Sequence, residues 1–168
     1  NSNEAAINGS YKISVGDKYD IGEDVLGYIA SLNYSNSSDI SEKQKNFFDF
    51  TGPRYLYTGS NYSKNVMLGG MVNLSYKLGS SAKFSFKNIF NQNSDDEVTT
   101  LQGLKYDYGD ERIITALRFV SRSLYAGQFT GSSFIPELGN FQVNWGGSYS
   151  LSYRDEPDYR RYVYKRDI

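Results

Sequence analysis

The chain of 168 residues carries 18 Lys plus Arg against 19 Asp plus Glu, so it has no basic excess with which to hold nucleic acid. It has no cysteine and no histidine, which removes disulfides, thiolate metal sites, the usual zinc ligands and Ser-His or Cys-His catalysis. The expectation is a protein that is not an enzyme and that needs no cofactor and no metal. Mean hydropathy is −0.57, and no run approaches the roughly 18 apolar residues of a membrane helix. That test does not reach β-barrels, whose alternation dilutes hydrophobicity to an ordinary mean. Aromatic content is 16%, with 16 Tyr, alongside 16 Gly and only 3 Pro. Tyrosine suits an interface at which the ring is buried and the hydroxyl stays wet.

The opening NSNEAAINGS has no charged-then-apolar leader, so an exported chain would have lost its signal or been cut from a longer one. Residues 10–21 alternate Tyr11, Ile13, Val15, Tyr19 and Ile21 against Ser10, Lys12, Ser14, Gly16 and Lys18, with Asp17 interrupting the apolar set. Gly22-Glu23-Asp24 reads as a tight turn. Residues 25–35 return with Leu26, Tyr28, Ala30, Leu32 and Tyr34 on one parity, completing a hairpin. From 36 to 62 the alternation dissolves, and the expectation is a long loop. Its aromatics Phe47, Phe48, Tyr55 and Tyr57 are candidates for ligand contact, set against simple packing of the loop.

Residues 64–78 place Val66, Leu68, Val72, Leu74, Tyr76 and Leu78 on one parity, and Gly79-Ser80-Ser81 turns the chain. Residues 82–91 return with Phe84, Phe86 and Phe90. A second long loop is expected over 92–112, part of it extending the flanking strands toward a turn at Gly109-Asp110. Residues 113–135 carry Leu117, Phe119, Tyr125 and Phe129 against Arg118, Arg122, Gln128 and Thr130. After a short turn, residues 141–153 show the clearest pattern of all. Phe141, Val143, Trp145, Tyr149, Leu151 and Tyr153 alternate with Gln142, Asn144, Ser148, Ser150 and Ser152. The charged RDEPD run beyond is expected to begin another loop, followed by a partly alternating tail.

Successive strand side chains point to opposite faces, so each run has one greasy face and one wet face. The fold class expected is all-β, an antiparallel up-and-down meander of about six long strands forming part of a transmembrane β-barrel. A strand tilted by about 45° crosses a bilayer core with about 9–11 residues. Leu26, Leu32, Leu68, Leu74, Phe84, Val143, Trp145, Tyr149 and Leu151 are expected to face lipid. Short turns alternating with long loops is the outer-membrane layout, with the loops at 36–62 and 92–112 extracellular. On the polar parity, Lys77, Lys83, Lys87, Arg118, Arg122 and Arg154 form a cationic wall. Arg118 and Arg122 are therefore added to the candidate ligand contacts. Such a wall favours anions if its charges are uncommitted, and serves structure if they are paired with acidic neighbours. The adjacent acids Asp95, Asp96 and Glu97 lack the spacing of a calcium loop.

Two segments carry a family likeness: GSYKISVGDKYDIGEDVLGYIASLNYSNS, and RFVSRSLYAGQFTGSSFIPELGNFQVNWGGSYSLSYRDEPDYRRYVY. Both resemble the barrel of TonB-dependent outer-membrane receptors, especially the large receptors of Bacteroidetes-like bacteria. The resemblance implies an outer-membrane location in a Gram-negative bacterium. It also implies import of a siderophore, cobalamin, glycan or peptide. The partners implied are membrane lipid, the remainder of the barrel, an N-terminal plug, and TonB acting through that plug. No plug-like segment is visible here, so an internal portion of the barrel is expected. The alternative is a complete small outer-membrane barrel or an adhesin-like surface protein.

Overall fold

A computed structural model describes residues 7–135, 139 and 141–167. Among these residues the chain forms β1 (Gly9–Ile21), β2 (Asp24–Asp49), β3 (Gly52–Leu78), β4 (Ala82–Lys105), β5 (Asp110–Ile135) and β6 (Phe141–Asp167). They make one six-stranded sheet in the order β1-β2-β3-β4-β5-β6, every neighbour pair antiparallel. The all-β meander expected from the alternation is what forms. The sheet does not close, and β1 and β6 are its two edges.

The long loops do not form. Residues 36–49 continue β2, and each pairs with a residue of β3. Residues 92–105 continue β4, paired on both sides. RDEPD likewise lies within β6 rather than opening a loop. Both faces of these extensions are largely polar, which erases the apolar alternation without removing the backbone's need for hydrogen-bond partners. The ladder meets that need, and the chain reverses in turns as tight as those at the other rim: Phe50-Thr51 between β2 and β3, and Tyr106 to Gly109 between β4 and β5. The asymmetry between the rims thus lies in strand overhang. With 26 and 27 residues, β2 and β3 run roughly 85–90 Å at about 3.3 Å per residue.

Two register shifts interrupt the ladder, and a proline sits at each. Phe47 pairs with Tyr55 and Phe48 with Pro53, leaving Arg54 as the extra residue. On the other side of the sheet, Phe119 pairs with Asp158 and Ser121 with Asp155, so Glu156 and Pro157 together oppose Val120. Proline has no N–H to give the ladder, and a bulge is where a strand tolerates one. The second bulge has a large consequence. One extra residue flips every side chain beyond it to the other face. Below it Arg154 lies opposite Arg122, and above it Tyr159 lies opposite Arg118 and Arg161 opposite Ala116.

Tyr57, Leu101, Ile114, Val120 and Asp110 are buried, and by register all share the face that carries the polar parity of the proximal strands. A single sheet shields side chains on one side only if it curls toward that side, so this face is concave. Gly59 and Gly103 mark where neighbouring backbone crowds this face. A Cβ at Gly59 would lie 1.9 Å from the Thr100 carbonyl oxygen, and one at Gly103 would lie 1.9 Å from that of Leu56.

Candidate functional site

The convex face carries an apolar band near the rim of the short β1–β2 and β3–β4 turns. The nine residues expected to face lipid all lie on it. One cross-strand row reads Tyr19, Leu26, Tyr76, Phe84, Gly131, Trp145. Another reads Ile13, Leu32, Gly70, Phe90, Tyr125, Leu151. Leu74 lies opposite Phe86, Leu68 opposite Gln92, Tyr149 opposite Gly127 and Val143 opposite Ser133. The Trp145 indole covers Gly131, with its ring 5.2 Å from that of Phe129 and 6.2 Å from that of Phe84. Within the sheet these side chains have each other and nothing above them: Tyr149 is 63% exposed and Leu151 58%.

Along β3 the band takes in Leu68, Gly70, Val72, Leu74, Tyr76 and Leu78. Beyond it the convex face is mixed: Lys64 lies opposite Ser38 and Asp96, and Ser60 opposite Glu42 and Thr100, with the row Ile40, Tyr62, Val98, Leu117 between them. The band is therefore roughly 33 Å long along the strand, or about 24 Å high at a 45° tilt.

The concave face divides into three zones. Nearest the short turns it presents Lys12, Lys18, Lys77, Lys83 and Lys87 among Ser, Asn and Gly. Lys77 lies directly opposite Lys83. None of these lysines makes an ion pair among the described residues. In the middle zone charge is matched. Arg122 donates to Asp95 at 3.0 Å, and Arg118 and Arg154 both donate to Glu156 at 2.9 Å. The Arg118 hydrogen bond, followed by that from Arg154, holds the Glu156 carboxyl below its ordinary range. Arg118 and Arg122 thus belong to an ion-pair belt, with Lys43 reaching Glu97 at 3.7 Å. Asp95 and Glu97 lie within β4 and are engaged in the same belt, not in a solvated loop.

The third zone holds a cavity of about 580 Å³. Its floor is Leu101, Ile114 and Tyr57, each under a tenth exposed. Tyr55 and Tyr57 stack at 5.1 Å, and Phe47 stacks on Tyr55 at 5.8 Å, so three of the four candidate aromatics come together. Phe48 does not join them. It follows Phe47 directly in β2, so it points to the other face, where it is 60% exposed. Burial raises the Tyr57 phenol pKa, which keeps it a neutral donor. Lys43, Lys45, Lys105, Arg112, Tyr159 and Arg161 complete the wall, and among the described residues no carboxylate lines it. Arg112 is held by buried Asp110 through two hydrogen bonds of 2.6 and 2.7 Å. That bidentate grip keeps the Asp110 carboxyl below its usual range. The Lys105 ammonium sits 4.4 Å from the Tyr108 ring.

Reading parity alone misses this wall. Lys45 and Lys105 fall in stretches with no apolar alternation, and Tyr159 and Arg161 reach the concave face only through the bulge. Pro157 is the available sequence signal, since a proline inside a strand run marks a possible change of parity.

The distal rim is tied separately. Asp49 accepts from the Thr51 amide at 2.8 Å and the Thr51 hydroxyl at 2.7 Å, and also pairs with Arg54. Arg54 in turn reaches Asp107 at 2.6 Å, joining the two distal turns. No protein-family model matches the chain, and no curated protein matches it.

Proposed function

We propose that the chain is a portion of an outer-membrane β-barrel of the TonB-dependent receptor type, and that the whole barrel imports a siderophore, cobalamin, glycan or peptide. One observation carries the membrane part of this reading: the continuous, uncovered apolar band on the convex face. Its height of about 24 Å fits the outward apolar band of about 25 Å in outer-membrane barrels. The tyrosines flanking it fit interfacial girdles.

The family assignment rests on the sequence resemblance. The open edges of β1 and β6 support a larger assembly, because an unpaired strand 27 residues long invites pairing along its length. The remainder of the barrel would supply those partners. The proximal lysines suit the acidic surface of a plug seated in the lumen, through which TonB would act. Lys77 facing Lys83 without a counterion is unfavourable until such a surface arrives.

Trp145 is the only tryptophan, so it reports insertion directly. The full chain, refolded into vesicles whose acyl chains carry bromine, should lose most of its tryptophan emission. Emission equal to that in unbrominated vesicles would place Trp145 outside the bilayer and overturn the reading.

A further inference from the structure

We infer that the distal concave cavity binds a small ligand bearing two or more closely spaced carboxylate or sulfate groups. This deepens the import reading and rests on it for the ligand's purpose, though not for its chemistry. Lys45, Lys105 and Arg161 come from three different strands, β2, β4 and β6, and converge on one cavity. A solvated run of charge does not do this. None of the three makes an ion pair among the described residues, whereas the arginines of the middle belt are all matched. The contrast matters because like charges around one cavity repel, and an anion between them removes that repulsion.

The cavity is also built to strengthen such contacts. Its floor of Leu101, Ile114 and Tyr57 is dry, so fewer waters screen a charge placed above it. Lys43 and Arg112 add positive potential from groups already anchored by Glu97 and Asp110. A volume near 580 Å³ falls within the range of small-molecule sites, about 300–1,000 Å³. Arg161 reaches this wall only because Glu156 and Pro157 shift the register of β6. A bulge that delivers one cation to a wall already holding four is a feature that ligand recognition explains.

The test is calorimetric titration of the full chain in detergent micelles. The probes are trigalacturonate, a trisulfated heparin disaccharide, and neutral maltotriose of similar size. Both acidic probes, or one of them, should bind, and maltotriose should not; which acid binds separates carboxylate from sulfate ligands. Lys45→Ala and Arg161→Ala should each weaken binding about tenfold or more, the range for a hydrogen bond to a charged group. Lys45→Arg should restore it, Lys83→Ala should leave it unchanged, and raising salt should weaken it. Maltotriose binding as tightly as the acids, binding by none of the probes, or an unchanged affinity in the Lys45→Ala/Arg161→Ala double variant would each overturn the inference. Bromine quenching of Trp145 in parallel samples of the same protein reads the membrane claim independently. A dry cavity in an inserted protein and a working cavity in an uninserted one are therefore distinguishable.

Discussion

The two ends of the sheet differ in which face shelters large apolar side chains. Near the short turns, Leu74, Phe86, Phe129 and Trp145 face outward from the curve, and lysines and serines face inward. At the far end Tyr57, Leu101 and Ile114 face inward and are buried, and the outward face is mixed, with Ser60, Lys64 and Asp96 beside Tyr62, Val98 and Leu117. Strand geometry is the same at both ends, so geometry does not choose the face. The surroundings do. An apolar outer face is stable where the medium outside is apolar, and at the far end only the inside of the curl excludes water. On the membrane reading proposed above, one strand serves two solvents along its length.

The sharpest way to break this comparison is to place the same charge at three heights on β3. Leu74→Arg, in the middle of the band, should cost about 2–4 kcal/mol of folding free energy in lipid, and Leu78→Arg, at its edge, about 0–1. Ser60→Arg, on the same face but beyond the band, should cost almost nothing. Urea unfolding of vesicle-inserted protein measures all three, and equal costs would sink the two-solvent account.

Next in size is the curl at the far end. Gly59→Ala forces a methyl against the Thr100 carbonyl and should cost about 1–3 kcal/mol. Protease cleavage should rise first in the distal halves of β3 and β4, with the Trp145 signal unmoved.

Deleting Pro157 probes the bulge. Removing the extra residue leaves Glu156 alone opposite Val120, so Asp158 would still oppose Phe119, and Tyr159 and Arg161 would stay on the concave face with Arg160 outside. The chain has no cysteine, so single cysteines placed at positions 160 and 161 can report the two faces. Their labelling rates with a bulky thiol reagent should keep their order in the deletion variant. Rates that swap would show that Pro157 is not the extra residue of this bulge.

The smallest effect belongs to the distal rim. The Thr51 hydroxyl and amide, followed by Arg54, pull the Asp49 carboxyl down to about 2, below its ordinary value near 3.8. A lowered carboxyl contributes stability that is complete above the ordinary value and is lost as pH falls through the folded one. Local protection of the Phe50-Thr51 turn from proteolysis or amide exchange should therefore fade between about pH 4 and pH 2. Asp49→Asn should remove that pH dependence.

Much of the proximal half was legible in the sequence. Alternation through 141–153 named the face of Val143, Trp145, Tyr149 and Leu151. The same parity in the other strands placed Leu26, Leu32, Leu68, Leu74 and Phe84 beside them. The far half was misread as loop because Asn36 to Gln44, apart from Ile40, and Gln92 to Asp96 are polar on both parities. A strand with water on both sides leaves no apolar period to find. Among the candidate contacts, Tyr55 and Tyr57 line the cavity, and Phe47 stacks on Tyr55. Phe48 turns away, and Arg118 and Arg122 are taken by Glu156 and Asp95.

By itself, then, the sequence determined the faces of the band, the all-β class and the tight turns at Gly22 and Gly79. All three are local properties, set by a period of two and by residues that tolerate a sharp reversal. Tertiary structure decided where the strands end, which cations are matched and which stand free around the cavity. Those depend on register between strands far apart in the chain, on two one-residue slips, and on a curl that only neighbouring strands impose.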